Sequence, residues 1–191
     1  MEQEKLEKIK ERLANGEDPE DIFDSCVYND YNLAVVRIDK KCNIIREDNT
    51  FVWDKPIEEW FNDCSYKMSG GCILVSIKGK DNYLKLDGTL LWKNDEWPDT
   101  SNWFDWSYGF REGFFCVRIG TQINFVKEDG TLLWKNDEFP DTSNWFTIES
   151  EQYFKNGKVA VKFGPYWYYL KPDGKLYDYK DNLVAENKVN S

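Results

Sequence analysis

The chain contains no histidine. That one absence removes Ser-His-Asp and Cys-His catalysis, histidine-ligated metals and histidine as an acid or base near neutral pH. No stretch approaches the roughly 18 consecutive apolar residues of a membrane-spanning helix, so no span is expected. Clusters of Lys and Arg are missing as well, and a nucleic-acid backbone needs them, so direct nucleic-acid binding is not expected. The five cysteines, Cys26, Cys42, Cys64, Cys72 and Cys116, are scattered and never form a C-x-x-C pair. With no apolar N-terminal run of the signal-peptide kind, the simplest reading is a reduced, cytoplasmic protein. A P-loop, a dinucleotide glycine pattern and zinc-spaced cysteines are all absent; Gly109 and Gly113 lack the rest of any phosphate motif. Paired carboxylates can support glycoside hydrolysis, yet acids in surface turns are the ordinary finding. The expectation is a protein that is not an enzyme and carries no cofactor.

What is present is aromatic and acidic. Seventeen per cent of the 191 residues are aromatic while 31% are charged. That mixture suits strands with bulky rings on one side and water on the other. The net charge is −10, and residues 1–25 hold nine acids against four bases, about half of the excess. An acidic surface of this kind is matched by a basic protein surface as partner.

One seventeen-residue stretch occurs twice, at 88–104 and at 130–146, differing only at Trp97 against Phe139 and offset by 42 residues. A period near forty belongs to repeat units and propeller blades, in which small supersecondary units bury their apolar faces against one another. Four units can be laid out, each with an alternating strand, a turn, a second strand, an Asp-Gly or Asp-Asn turn, and a short third strand ending in an aromatic. Their turns, at Asn49, Gly88, Gly130 and Gly174, lie 39, 42 and 44 residues apart. Both residues of such turns tolerate the positive φ a tight hairpin needs. In the third unit Phe115, Val117 and Ile119 oppose Phe114, Cys116 and Arg118; in the fourth, Val159, Val161 and Phe163 share a core face, leaving Lys158, Ala160 and Lys162 on the wet one.

Upstream, Leu6, Ile9 and Leu13 form a helical stripe over 2–14 that stops at Asn15-Gly16. A shorter helix follows, with Asp18 as N-cap and Pro19 in its first turn. The predicted fold is therefore mainly β: four consecutive antiparallel three-stranded repeat units with an N-terminal helical cap, arranged as a curved sheet or a closed, propeller-like array. The cap occupies 1–28 and the repeat domain 31–180, with units at about 31–68, 69–110, 111–154 and 155–180; a disordered tail is expected at 181–191. Irregular structure is expected over 56–65.

The residues Phe110-Arg111-Glu112-Gly113 before Val117, Gly79-Lys80 with Tyr83-Leu84 before Gly88, Asn124-Phe125-Val126 before Gly130, and Trp167 with Tyr169-Leu170 before Gly174 resemble the unit of the bacterial WG-repeat proteins. The resemblance covers about 31–178 and is that of a divergent relative: no Trp-Gly dipeptide occurs, and Asn82, Asn124 and Tyr168 stand where the family's glycine falls. It implies a repeat scaffold without a common catalytic site.

Candidate binding residues cluster in the duplicated loop: Asp95, Glu96, Trp97 and Asp99, echoed by Asp137, Glu138, Phe139 and Asp141, with Trp106 nearby. Their acids do not have the alternate spacing of a calcium-binding loop, so no metal is expected. Trp92, Trp103, Trp134 and Trp145 read as buried packing between repeats, whereas Trp60, Trp97 and Trp106 are expected to be more exposed. Glu17, Asp18, Glu20, Asp21 and Asp24 read as a solvated cap, with a docking patch as the alternative. Together these features predict a non-catalytic binding protein for a basic protein surface, of which an acidic inhibitor of a nucleic-acid-binding protein, such as a phage anti-defence protein, is one form. The alternative is a carbohydrate-binding module using Trp and Tyr with Asp and Asn.

Overall fold

The structure, a computed structural model, describes residues 2–92, 99–134 and 141–186. The chain divides into two compact units, residues 1–101 and 102–191. The described residues hold two α-helices and 14 strands in four antiparallel sheets of three, three, four and four strands. The mainly β expectation is met; the strands fall into separate sheets, so one continuous curved sheet is not formed among them.

In the first unit, helix α1 (Glu2–Ala14) buries Leu6, Ile9 and Leu13, as the stripe requires, and ends where Gly16 adopts φ +79°. In α2 (Pro19–Ile22), the Asp18 side chain accepts from the Glu20 N–H at 3.0 Å. The first sheet is β1 (Ser25–Tyr28), β2 (Ala34–Ile38) and β3 (Lys41–Ile45); the second is β4 (Asp63–Ser69), β5 (Cys72–Ile77) and β6 (Lys80–Lys85). In the second unit, β7 (Trp106–Arg111), β8 (Phe114–Ile119), β9 (Gln122–Lys127) and β10 (Phe146–Thr147) form one sheet. The last sheet is β11 (Val159–Phe163), β12 (Tyr166–Leu170), β13 (Lys175–Tyr177) and β14 (Leu183–Glu186).

One difference from the sequence reading has a local cause. The short third strand of the repeat shrinks, in the first three sheets, to one bridge: Phe51 to Ile45, Leu90 to Leu84 and Leu132 to Val126. A buried asparagine takes over from the backbone ladder there. Asn43 Nδ2 donates to the Trp53 carbonyl at 2.7 Å, while its Oδ1 accepts from the Ile44 and Trp53 N–H groups at 2.7 and 3.3 Å. Asn82 does the same with Trp92 and Tyr83, and Asn124 donates to the Trp134 carbonyl and accepts from the Phe125 N–H. All three are completely buried. Tyr168 holds this place in the last sheet, and there a full strand, β13, continues the ladder with Tyr169 opposite Tyr177 and Leu170 opposite Leu176.

The first three sheets also gain a strand ahead of the predicted pair. β4 begins at Asp63, inside the stretch expected to be irregular, which otherwise contains a 3-10 turn at Ile57–Glu59. β7 covers the Phe110-Arg111 motif. Each is joined to its partner by a two-residue turn with both central φ angles positive, Gly70-Gly71 and Glu112-Gly113, as a right-twisted hairpin demands. A further strand, β14, occupies 183–186, where a disordered tail was expected; it pairs with β13. The Asp-Gly turns behave as read. Asp87 accepts from the Thr89 N–H at 2.9 Å and its hydroxyl at 2.6 Å, and Gly88 sits at φ +85° where an added Cβ would lie 2.6 Å from the Val52 carbonyl oxygen.

The cysteines are not all reduced. Cys42 in β3 and Cys64 in β4 form a disulfide, with Cα atoms 6.2 Å apart. Spacing alone hid this pair, because the two are brought together by the bridge between Cys42 and Phe61.

Candidate binding surface

The duplicated loop divides into buried rings and exposed acids. Trp92, Trp103, Trp134 and Trp145 are at most 5% exposed, which bears out their reading as packing. The Trp134 indole N–H donates to the Asn144 carbonyl at 3.0 Å, and the Trp145 N–H to the Thr142 carbonyl at 2.9 Å, so the turn before each ring aims it inward. Asp99 and Asp141 hold those turns: each accepts from the backbone N–H two residues on, Ser101 or Ser143, at 2.8 Å. That N–H bond, and then the serine hydroxyl, keep both carboxyls below the ordinary aspartate range and hence ionised. Asp95, Glu96, Trp97, Asp137, Glu138 and Phe139 lie outside the described residues.

Trp106, on β7 and opposite Arg118, is 53% exposed as expected. Among the described residues no hydrogen bond or ion pair joins it to Asp141. Trp60, also expected to be exposed, is fully buried instead. The 3-10 turn before it directs the ring inward, where its N–H donates to the Lys55 carbonyl at 2.9 Å.

The acids around α2 are largely occupied with structure. Glu17 pairs with Arg12, Asp18 caps the helix, and Asp24 accepts from the Asp39 N–H at 3.0 Å. Asp48 and Asp87 are different: both are exposed and held ionised by the hydroxyl and N–H of Thr50 and Thr89. Among the described residues no ion pair involves Asp48, Asp87, Asp99 or Asp141. The repeat thus presents fixed carboxylates at recurring turns, 39 residues apart for Asp48 and Asp87 and 42 apart for Asp99 and Asp141.

Reactive groups are scarce. Burial pushes the Cys116 thiol far up, which holds it neutral. Among the described residues no three His, Cys, Asp or Glu side chains are grouped to hold a metal ion, and no helix is long and apolar enough to cross a membrane.

Sequence reasoning passed over the aromatic face of the last sheet. Trp167 and Tyr179 are 52% and 80% exposed, and with Ala160, Tyr168 and Tyr169 they line a groove of about 260 Å³. The signal was present in the run Tyr166-Trp167-Tyr168-Tyr169, which puts a large ring on both faces of one strand.

No family model matches the chain, and no curated protein matches it. A solved structure of PorZ, an essential bacterial surface component of the type-IX secretion system of Porphyromonas gingivalis, is similar at 12% identity with a TM-score of 0.36. The match covers 85% of this chain and 20% of that one, so the chain spans about a fifth of PorZ. The WG-repeat resemblance rests on the residues quoted for it.

Proposed function

We propose that the chain is a non-catalytic binding protein whose repeat array recognises a basic protein surface. The observation that carries this reading is the set of exposed turn carboxylates, Asp48, Asp87, Asp99 and Asp141, each held ionised chiefly by its own turn, with Arg46 and Lys85 a weaker influence on the first two and no ion pair to any of the four among the described residues. A carboxylate already bonded to the backbone loses little freedom when a Lys or Arg of a partner docks on it. Fixed charge of one sign also speeds the encounter with a surface of the other sign. The inhibitor form of the idea follows from the same charges, since a basic nucleic-acid site is one such surface. Affinity purification from the source cell tests it: the expected partners are basic proteins that elute as salt is raised, and a partner retained unchanged at high salt would overturn it.

A cytoplasmic setting belongs to the same proposal, and the Cys42–Cys64 bond counts against it, because thiols there are normally kept reduced. Alkylation of denatured protein taken directly from its cells decides the matter. Labelling of all five cysteines fits the cytoplasm, and labelling of only Cys26, Cys72 and Cys116 fits an oxidising compartment.

A further inference from the structure

The last sheet turns a second kind of surface to solvent, built from residues other than the turn acids. On β12, Trp167 and Tyr169 point away from the face of Leu170, which is buried with Val159, Val161 and Leu176 in the core. The register sets Lys162 opposite Trp167, and Ala160 and Tyr177 on either side of Tyr169. Ala160 contributes only a methyl group, so the surface dips beside Tyr169. Trp167 and Tyr179 border that dip, and the result is the groove of about 260 Å³. Exposing two large rings to water is unfavourable unless something is to lie on them.

The charges around the groove narrow down what that is. Lys162 pairs with Glu149, Lys171 with Asp181 at 2.8 Å and Lys175 with Glu186 at 3.0 Å. The Lys158 ammonium already lies 4.0 Å from the centre of the Tyr169 ring, and the Lys171 ammonium 4.0 Å from that of Tyr177. A cationic ligand would therefore meet Lys158 and Lys162 and find the Tyr169 and Tyr177 rings taken. An anionic ligand would meet Glu149, and the two lysines without a carboxylate partner among the described residues, Lys158 and Lys180, already lie over the Tyr169 and Tyr179 rings, 4.0 and 5.4 Å from their centres. What suits the open Trp167 ring beside the Lys162–Glu149 pair is an uncharged molecule with an apolar face and a rim of hydroxyls. A pyranose has that form: its axial C–H bonds make one face apolar, and its equatorial hydroxyls both donate and accept. The groove is smaller than the roughly 300–1,000 Å³ of pockets that take drug-sized ligands, which matches one or two sugar rings.

We infer that this groove binds a neutral oligosaccharide, with a sugar ring stacked on Trp167, Tyr179 closing the other side, and hydroxyls bonded to the Lys162–Glu149 pair. The protein-binding reading rests on different residues, so the two stand or fall separately.

Affinity electrophoresis of the full chain through gels containing xyloglucan, glucomannan, mixed-linkage β-glucan, dextran or soluble starch tests this, with heparin and oligothymidylate as anionic controls. Retardation by at least one neutral polysaccharide is expected, unchanged from low to high salt. Calorimetry with the matching hexasaccharide should then show Trp167→Ala and Tyr179→Ala each weakening binding about tenfold, equivalent to about 1.4 kcal/mol, with the thermal melt and any basic-protein binding unaffected. If Trp167→Ala fails to fold, Tyr179→Ala decides alone, because that ring is 80% exposed. The inference is overturned if no neutral polysaccharide retards the protein, if both variants bind as the parent does, or if only the anionic controls bind.

Discussion

Asn124 carries a structural duty that its polarity does not announce. It is fully buried, its amide donates to the Trp134 carbonyl, and its Oδ1 accepts from the Phe125 N–H at 2.8 Å. Removing it strands a buried backbone group, which costs about 1–3 kcal/mol for each group left unpaired. Asn124→Ala should lower the urea midpoint accordingly, and Asn124→Leu should do no better, because volume is not what is missing; a stable leucine variant would refute this role. The turn aspartates act at the same scale through pH. Folding depresses the carboxyls of Asp48, Asp87, Asp99 and Asp141 below the ordinary 3.8. A depressed group contributes stability that is fully present above its unfolded value and is lost as pH falls through its folded value. The melting temperature should therefore be insensitive to these groups above about pH 5 and fall below 3.8, with a shallower acid limb in Asp87→Asn.

At the scale of elements, the duplicated Trp residues and Trp106 should separate cleanly. Trp103 and Trp145 are at most 1% exposed, so Trp103→Ala and Trp145→Ala should each cost about 3–5 kcal/mol. Trp106→Ala, at a half-exposed site, should stay within about 0.5 kcal/mol in the same denaturation assay. Equal losses at all three would show that Trp106 packs against something. These elements also mark what the sequence made legible. Helix α1, the Asp-Gly turns and the paired strands β8–β9 and β11–β12 declare themselves through local pattern: a three-to-four periodicity, a positive-φ pair, an alternation of rings. β4 and β7 did not, because their residues mix polar and apolar on both faces and each strand is bent by a register shift. The inward turn of Trp60 follows from a 3-10 turn, and the asparagine bridges and the Cys42–Cys64 bond join residues 10 and 22 apart in sequence. No local pattern reports those. The aromatic groove was missed for another reason: alternation shows that rings occupy both faces of β12, but only what packs against the sheet decides which face stays open.

For the whole molecule, the governing quantity is net charge, −10 with no histidine to change it near neutral pH. Glu17, Asp18 and Asp24 are bonded to Arg12, the Glu20 N–H and the Asp39 N–H, so they shape the field without being free to dock. Asp95, Glu96, Asp137 and Glu138 precede in sequence the turns held by the Asp99 and Asp141 bonds. Changing these four to Asn or Gln removes four negative charges. Their melting temperature should match the parent, since surface changes usually stay within about 0.5 kcal/mol. Association with a basic partner should slow, with dissociation little altered, because steering charge acts on the encounter before contact. Salt supplies the control: attraction is screened over about 8 Å at physiological ionic strength, so the gap between parent and variant should close as salt rises. A gap that persists at high salt would mean the four acids make direct contacts that outlast screening. A variant that unfolds would mean they hold the loop together, and the binding surface would then have to be sought among the rings.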